Sequence, residues 1–368
     1  MSEHRHIRSL GVEREGQGYF FGYDEGPEGH GQVRIETLYT GLSAGTELTF
    51  FKNTNPYLHS RWDGMQGLFV AGEAGAHYPV PFLGYMEVGR VIGSQAPGFA
   101  VGDVVAGTWG HKSGHTADPF HEVLVKLPEG MDPVLGIFVA QMGPIAANGI
   151  LHADAELLGP AANRLGAGIA GRPVVVVGAG TVGIFTALFA RRAGASEVVV
   201  TDPSPFRRAA MAKLGFRAMT EDEAVGYAKS AWHGNGGTER GADVVFQTRA
   251  HGESLANALK MLRPQGSVID LAFYQGDVSA LRLGEEFHHN GLSVRCAQIG
   301  RVPRGFGALW DRRRLAQETI ALLAHEGAVI REQLMTHVVP FDEGPDFLAR
   351  LVRERPDFLQ VVFQTATP

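Results

Sequence analysis

Cysteine is nearly absent: among 368 residues only Cys296 is present. A disulfide framework and a four-cysteine structural zinc site are therefore excluded. Long apolar runs are also missing, since no stretch of about 20 apolar residues occurs and no membrane-spanning helix is expected. Met1–Leu10 is polar, with charges and histidines. It lacks the apolar segment of a secretion signal, so the cytoplasm is the expected compartment. Positive charge is not in excess, with a net charge of −6 and a pI near 6.2. No electrostatic footprint for nucleic acid exists, and the run Arg312-Arg313-Arg314 reads as a solvated helix face. The expected partner is a small-molecule substrate, not a nucleic acid or a membrane.

What is abundant is glycine, 49 residues spread along the chain, which signals many tight turns rather than a flexible repeat. With 44% hydrophobic and 20% charged residues, the chain has the composition of a two-domain globular protein. Short apolar runs at Val33–Tyr39, Val88–Ile92, Val101–Val105 and Val123–Leu127, broken by Pro97-Gly98, Gly102-Asp103 and Glu129-Gly130, predict a β-rich domain. A helix is expected over Pro133–His152. From Pro173 strands and helices alternate: Val174–Val177, the helix Val182–Ala193, Glu197–Thr201, the helix Arg207–Leu214, Ala242–Phe246, the helix Leu255–Leu262 and Ser267–Leu271. That rhythm predicts a doubly wound parallel sheet. After Leu292–Ala297, a long helix at Leu309–His325 and strands at Val338–Pro340 and Leu359–Phe363 suggest a return to the first domain. The fold class is α/β, with domains expected at 1–150, 151–298 and, for the return, 299–368.

The strongest local signal is Val174-Val175-Val176-Val177-Gly178-Ala179-Gly180-Thr181-Val182-Gly183. A G-x-G-x-x-G that follows a strand and opens a helix is the context dinucleotide binding requires. Gly178 permits the turn, Gly180 admits a pyrophosphate to backbone N–H groups, and Gly183 lets the helix pack close to the strand. Thr181 and Val182 belong to the same expected cofactor contact, as does Thr248 after the next-but-one strand. Asp202 closes the following strand, where a carboxylate accepts ribose hydroxyls and repels a 2′-phosphate, favouring NAD over NADP. It can equally serve as a helix N-cap ahead of Pro203. Arg207 is expected over the adenine ribose or paired with Asp202, although Arg207 and Arg208 are also able to recruit a 2′-phosphate.

Several segments in order resemble the medium-chain dehydrogenase/reductase superfamily over nearly the whole chain. Gly41-Leu42-Ser43-Ala44-Gly45-Thr46-Glu47 resembles its first catalytic loop, and Pro81–Val91 its Gly-His-Glu segment. Phe99–Val105 resembles its Gly-Asp-Arg-Val turn, and Gly241–Val245 and Gln265–Ile269 follow at matching intervals. The resemblance implies a GroES-like substrate domain built from both chain ends, a central Rossmann domain and an active site in the cleft between them. It places Gln298 on the nicotinamide carboxamide. A homodimer or homotetramer is expected.

The zinc-dependent members of that superfamily hold their metal with a cysteine, a histidine and a third ligand before the central helix. Here those positions carry Ser43 or Ala44, Tyr85 (with Met86 beside it at the glutamate position) and Gln141. None is a competent zinc ligand, and no metal is expected there. His111, His115 and His121 with Asp118 form a second grouping able to bind a divalent ion, or a loop that hydrogen-bonds to itself. Ser/Ala-Gly-Thr-Glu with Gly-Tyr-x-x-Val-Gly is most similar to the bacteriochlorophyllide dehydrogenase-like branch.

Without zinc, a side chain must polarise the substrate oxygen and move its proton. Thr46 resembles the family's hydroxyl relay. Tyr85 either donates to a developing alkoxide or is a core aromatic with its hydroxyl tied to backbone. Glu47 is expected to orient its neighbours, and His59 either to finish a relay to solvent or, the leading expectation, to sit in a surface loop. Phe50, Phe51, Tyr57, Trp62 and Phe69 suggest a substrate larger than ethanol. The leading expectation is an NAD(H)-dependent alcohol/carbonyl oxidoreductase without catalytic zinc. The alternatives are an NADPH-dependent enoyl- or quinone-type reductase and a catalytically silent dinucleotide-binding protein.

Overall fold

The computed structural model describes residues 4–234, 237 and 239–365. Met1–Glu3 of the polar N-terminal stretch thus lie outside the described residues. The chain forms two compact units: 1–141 with 335–368, and 142–334.

The first unit opens with a hairpin, β1 (Arg5–Arg14) and β2 (Gln17–Glu25), which lies ahead of the β-rich region expected from the sequence. β3 (Val33–Gly41) then leads directly into a helix, α1 (Ala44–Phe51). A small antiparallel pair follows, β4 (Ser60–Asp63) with β5 (Leu68–Ala71). The main sheet is continued by β6 (Glu87–Ser94), β7 (Val104–Gly107), β8 (Gly114–Ala117) and β9 (Leu124–Lys126). Val101 stands in the turn before β7 rather than in the strand.

The helix expected over Pro133–His152 divides. Pro133–Phe138 is a short 3-10 turn, capped by the Asp132 side chain, and α2 (Met142–Leu158) starts after it. α2 belongs to the central unit, which continues with β10 (Pro173–Val177), α3 (Thr181–Ala193), β11 (Glu197–Thr201), α4 (Pro205–Lys213), β12 (Arg217–Met219), α5 (Glu221–Ala231), β13 (Ala242–Gln247), α6 (Gly252–Met261), β14 (Leu262–Asp270), β15 (Ser293–Cys296) and α7 (Arg312–Leu334). Its six strands are parallel, in the order β12-β11-β10-β13-β14-β15. The valines of β10 are fully buried, as a central strand covered on both faces requires. Each contributes roughly 1.5 kcal/mol or more of transfer free energy.

The domain limits differ from those expected. The division falls at Gln141/Met142 and Leu334/Met335, not after 150 and 298. The cause is packing: α2 lies against α3 and α7, so both the early helix and the late one are held by the central unit. The chain returns only with β16 (Met335–Pro340), followed by α8 (Gly344–Glu354) and β17 (Gln360–Gln364). β17 pairs antiparallel with β3, and β16 parallel with β17, completing the order β16-β17-β3-β6-β7-β9. Among the described residues no helix is long and apolar enough to cross a membrane.

Candidate active site

In the first unit the site grows from the first turn of α1. Ser43 is its N-cap, and the Ser43 carbonyl accepts the N–H groups of Thr46 (3.0 Å) and Glu47 (2.9 Å). The Ser43 N–H in turn donates to Glu47 Oε1 at 2.8 Å, so this carboxylate closes the turn on itself. Tyr85 comes from the extended segment ahead of β6. Its hydroxyl donates to Thr46 Oγ1 at 3.1 Å and is also in hydrogen-bond contact with Ser43 Oγ. The three hydroxyls of Ser43, Thr46 and Tyr85 therefore meet at one point, and Tyr85 and Thr46 are only half-buried. Burial, followed by the charge of Glu47, pushes the Tyr85 phenol up to about 12. At neutral pH it is a donor, not a phenolate.

Behind this turn lies a buried charged row. His111 has no exposed surface, Glu87 likewise, and Glu47 is 2% exposed. His111 Nε2 faces Glu47 Oε2 at 2.5 Å, and its Nδ1 faces Thr40 Oγ1 at 2.5 Å. Thr40 gives its only hydroxyl hydrogen to Glu87 Oε1 (3.0 Å), while Glu87 Oε2 accepts the Gly110 N–H (3.0 Å). With Glu87 ionised and that hydrogen spent on it, Thr40 accepts from His111 Nδ1. Nε2 faces a carboxylate, so both ring nitrogens carry hydrogen. Burial alone would lower the His111 pKa. The charge and hydrogen bond of Glu47, then the charge of Glu87, outweigh it and raise the pKa. Burial drives Glu87 up to about 7. Gly84, at φ +92°, is required here, because a Cβ would stand 2.9 Å from both Glu87 Oε1 and His111 Nδ1.

The three histidines are not a cluster. His111 points into the core, His115 meets Glu122 at 2.7 Å and stacks on Trp109, and His121 is exposed, 4.0 Å from Asp118. Among the described residues no group of three His, Cys, Asp or Glu side chains is able to hold a metal ion. The zinc positions implied by the resemblance present hydroxyl, methyl, thioether and amide groups, which do not fit zinc. His59 is a loop residue, bonded to the Asn53 carbonyl at 3.1 Å. Tyr57, Trp62 and Phe69 form an exposed aromatic group around β4 and β5, and Phe51 is buried in the core.

In the central unit the strand order reverses between β10 and β13, and ligands of doubly wound sheets bind outside the carboxyl ends at such a point. Gly178 turns the chain there with φ +103°, and Gly180 is the N-cap of α3, with Thr181 and Val182 next in its first turn. A Cβ on Gly183 would fall 1.8 Å from the Gly178 carbonyl oxygen. Thr248, following β13, donates to the carbonyls of Val177 (2.8 Å) and Gly178 (3.2 Å). Asp202 is 4% exposed and already braces the turn. Its Oδ2 accepts the Ala179 N–H and its Oδ1 the Ser204 N–H, both at 2.9 Å, leaving one lone pair on each oxygen. Arg207 Nη1 lies 3.3 Å from the position of a Gly180 Cβ, over the glycine turn. Arg208 is folded onto the carbonyls of Asp202 (2.7 Å) and Pro203 (2.8 Å). Gln298 is exposed, and its Oε1 accepts the Gly300 N–H at 2.7 Å.

The sequence reading missed a polar group at the ends of β13 and β14. Tyr274 donates to Asp270 Oδ2 at 3.0 Å, and Gln247 Nε2 donates to the Tyr274 oxygen at 3.3 Å. Gln247 is fully buried, and its Oε1 has no hydrogen-bond partner among the described residues. Glu221, the first residue of α5, accepts from Arg249 (2.9 Å) and Ser254 (2.8 Å). The available signal was position: each of Gln247, Arg249 and Asp270 ends or follows a parallel strand.

A family profile described as zinc-binding dehydrogenase matches residues 181–312. D-guloside 3-dehydrogenase of Escherichia coli (strain K12) is 26% identical over 342 residues, which is 89% of this chain and 90% of the relative. Galactitol-1-phosphate dehydrogenase from Escherichia coli superposes with a TM-score of 0.73 at 16% identity, covering 97% of this chain and 99% of the other. An alcohol dehydrogenase from Thermotoga maritima gives 0.72 at 18% identity, with 98% and 99% covered. With the β-rich unit built from both chain ends and the central doubly wound sheet, these likenesses all fit the medium-chain dehydrogenase/reductase superfamily, in its zinc-type alcohol dehydrogenase-like part.

Proposed function

We propose that the protein interconverts a secondary alcohol and a carbonyl on a carbohydrate-like substrate, using NAD(H) and no catalytic zinc. The observation that carries this reading is the meeting of Ser43, Thr46 and a protonated Tyr85, of which Ser43 and Tyr85 stand where the resemblance implies metal ligands. Thr46 and Tyr85 are the proposed catalytic residues. Likeness to D-guloside 3-dehydrogenase over most of both chains supports a sugar hydroxyl as the reacting group.

The central unit fits a nicotinamide dinucleotide. The glycine turn admits no Cβ at Gly183, the α3 N-terminus offers backbone N–H groups to a pyrophosphate, and Arg207 lies over that turn. Gly178, Gly180, Thr181, Val182, Gly183, Asp202, Arg207, Thr248 and Gln298 are the proposed cofactor residues. When bound, the nicotinamide supplies or accepts the hydride. In carbonyl reduction, the Tyr85 O–H donates to the substrate oxygen as negative charge grows on it. A phenol near 12 is still more acidic than an aliphatic alcohol, so the proton moves downhill to the product. Thr46 and Ser43, hydrogen-bonded to the same phenol oxygen, then stabilise the tyrosinate until it is reprotonated.

Turnover of NADH and NADPH with ketosugars, simple ketones, enones and quinones tests the reading, which expects ketosugars and NADH to lead. No turnover of any carbonyl with either dinucleotide would overturn it. NADH should bind at least about tenfold more tightly than NADPH, because a carboxylate accepting ribose hydroxyls makes charge-assisted bonds worth roughly 1.5–3 kcal/mol. Asp202→Asn keeps the shape and one acceptor for the Ala179 N–H but removes the charge, and should narrow that gap. Equal affinities in the unmodified protein would discard the assignment of Asp202. Elemental analysis should find zinc well below one per chain, and chelators should leave turnover intact. Activity that disappears with chelator and returns with zinc would contradict the metal-free reading.

A further inference from the structure

We infer that His111 is a positioning residue for the hydroxyl site: held between Glu47 and Thr40, its imidazole fixes the Glu47 carboxylate on the Ser43 N–H and thereby sets the α1 turn that presents Ser43 and Thr46 to Tyr85. The inference rests on the proposed role of those hydroxyls but is read from contacts of its own. The ring is held by the Glu47 carboxylate on one side and, on the other, by Thr40, which is itself bonded to Glu87, and among the described residues no group of three His, Cys, Asp or Glu side chains is able to hold a metal ion.

The geometry runs in one direction without a gap. Gly110, with φ +89°, turns the chain inward after β7, and the His111 backbone is fixed by its N–H to the Leu83 carbonyl (2.7 Å) and its carbonyl to the Leu10 N–H (2.9 Å). The ring sits edge-on to Phe363 of β17, with centroids 5.6 Å apart. From there Nε2 reaches Glu47, Glu47 Oε1 receives the Ser43 N–H, and the Ser43 carbonyl receives the Thr46 N–H. Glu47 is therefore held at both oxygens, one by the ring and one by the turn it closes. On the far side Thr40 and Glu87 hold Nδ1, so the ring cannot rotate away without breaking bonds in a site with no exposed surface.

The local sequence does not favour this turn by itself. Ser43-Ala44-Gly45-Thr46 includes a glycine, which disfavours helix, and Ser43 makes no side-chain cap bond. The turn depends on Glu47, and a buried carboxylate stays in place only when paired. Removing the imidazole leaves Glu47 uncompensated, and water or a rotamer change draws it away from Ser43.

Two variants separate positioning from mere stability. His111→Leu removes both donors, whereas His111→Gln keeps one N–H donor, toward Glu47, and meets Thr40 with a carbonyl, to which the Thr40 hydroxyl must turn from Glu87. Both lose the buried cation and should melt earlier by similar amounts. Crystal structures should show the Ser43–Tyr85–Thr46 contacts opened in His111→Leu and retained in His111→Gln. Turnover per folded molecule should fall at least about tenfold in the first and less than about threefold in the second, with NADH affinity unchanged in both. In the unmodified protein, selective ¹⁵N-histidine spectra should show two hydrogen-bonded ring N–H groups for His111, assigned by their loss in His111→Gln. Intact hydroxyl contacts in His111→Leu, equal turnover losses in both variants, or a ring nitrogen without hydrogen would each overturn the inference. If the contacts open as expected while no alcohol or carbonyl is turned over by the unmodified protein, the functional proposal fails and the positioning role stands.

Discussion

Tyr85→Phe is expected to lower kcat by about 10²–10³-fold, the usual cost of losing one preorganised oxyanion donor, with NADH affinity unchanged. The ring stays, so the packing of the segment before β6 is kept and the variant isolates the hydroxyl. The loss should appear in kcat and kcat/KM together, because in the proposed mechanism the phenol acts on charge that exists only in the transition state. Thr46→Val, of similar volume, should give a smaller loss, since Ser43 remains in contact with the phenol. The charge of Glu47 helps to keep Tyr85 protonated, which predicts a third result. Glu47→Gln removes a negative charge that raises the phenol, so the Tyr85 pKa falls and the alkaline limb of the pH–rate profile moves to lower pH. Near-normal turnover in Tyr85→Phe would return that residue to the packing of the core. An alkaline limb unmoved by Glu47→Gln would remove Tyr85 from the proton path.

The parts of the molecule legible in the sequence are those whose partners are adjacent in the chain. Val174–Gly183 contains a strand, its turn and the start of its helix within ten residues, so local pattern was enough to read β10 and α3. His111 shows the opposite case. Its nearness in sequence to His115 and His121 suggested a cluster, but the chain turns inward at Gly110 and the three rings face different surroundings. Its actual partners, Glu47 and Thr40, lie 64 and 71 residues away, and nothing in a single sequence links them. The α1 turn was read as loop for the same reason, since what holds it is tertiary. The domain limits moved because a helix is assigned by what it packs on, not by its place in the chain, and α2 and α7 pack on the central unit. Asp202 was read as a ribose acceptor or a helix cap, and its bonds to Ala179 and Ser204 show a third use. It ties the second strand to the glycine turn, and no periodicity reveals that.

Gly183→Val is expected to weaken dinucleotide binding by roughly two orders of magnitude and to lower the melting temperature. A Cβ at this position would lie 1.8 Å from the Gly178 carbonyl oxygen and 2.9 Å from both its carbonyl carbon and Thr248 Oγ1. The nearest obstacle is backbone, so no rotamer change relieves it, and the turn or the start of α3 must move. Overpacking of this kind costs about 1–3 kcal/mol, occasionally more. For a unit of this size it lowers Tm by roughly 2–4 °C per kcal/mol. Binding should suffer more than stability, because the same displacement takes the α3 N–H groups away from the place proposed for the pyrophosphate. Losing two charge-assisted hydrogen bonds at about 1.5 kcal/mol each weakens Kd by roughly two orders of magnitude. Gly226→Ala in α5 is the matched control. Its Cβ would have open space, so the substitution should add up to about 1 kcal/mol of helix stability and leave NADH affinity unchanged. The contrast between the two glycines tests the close approach itself. If Gly183→Val binds NADH as tightly as the unmodified protein, the crevice at the β10 turn is not where the dinucleotide sits.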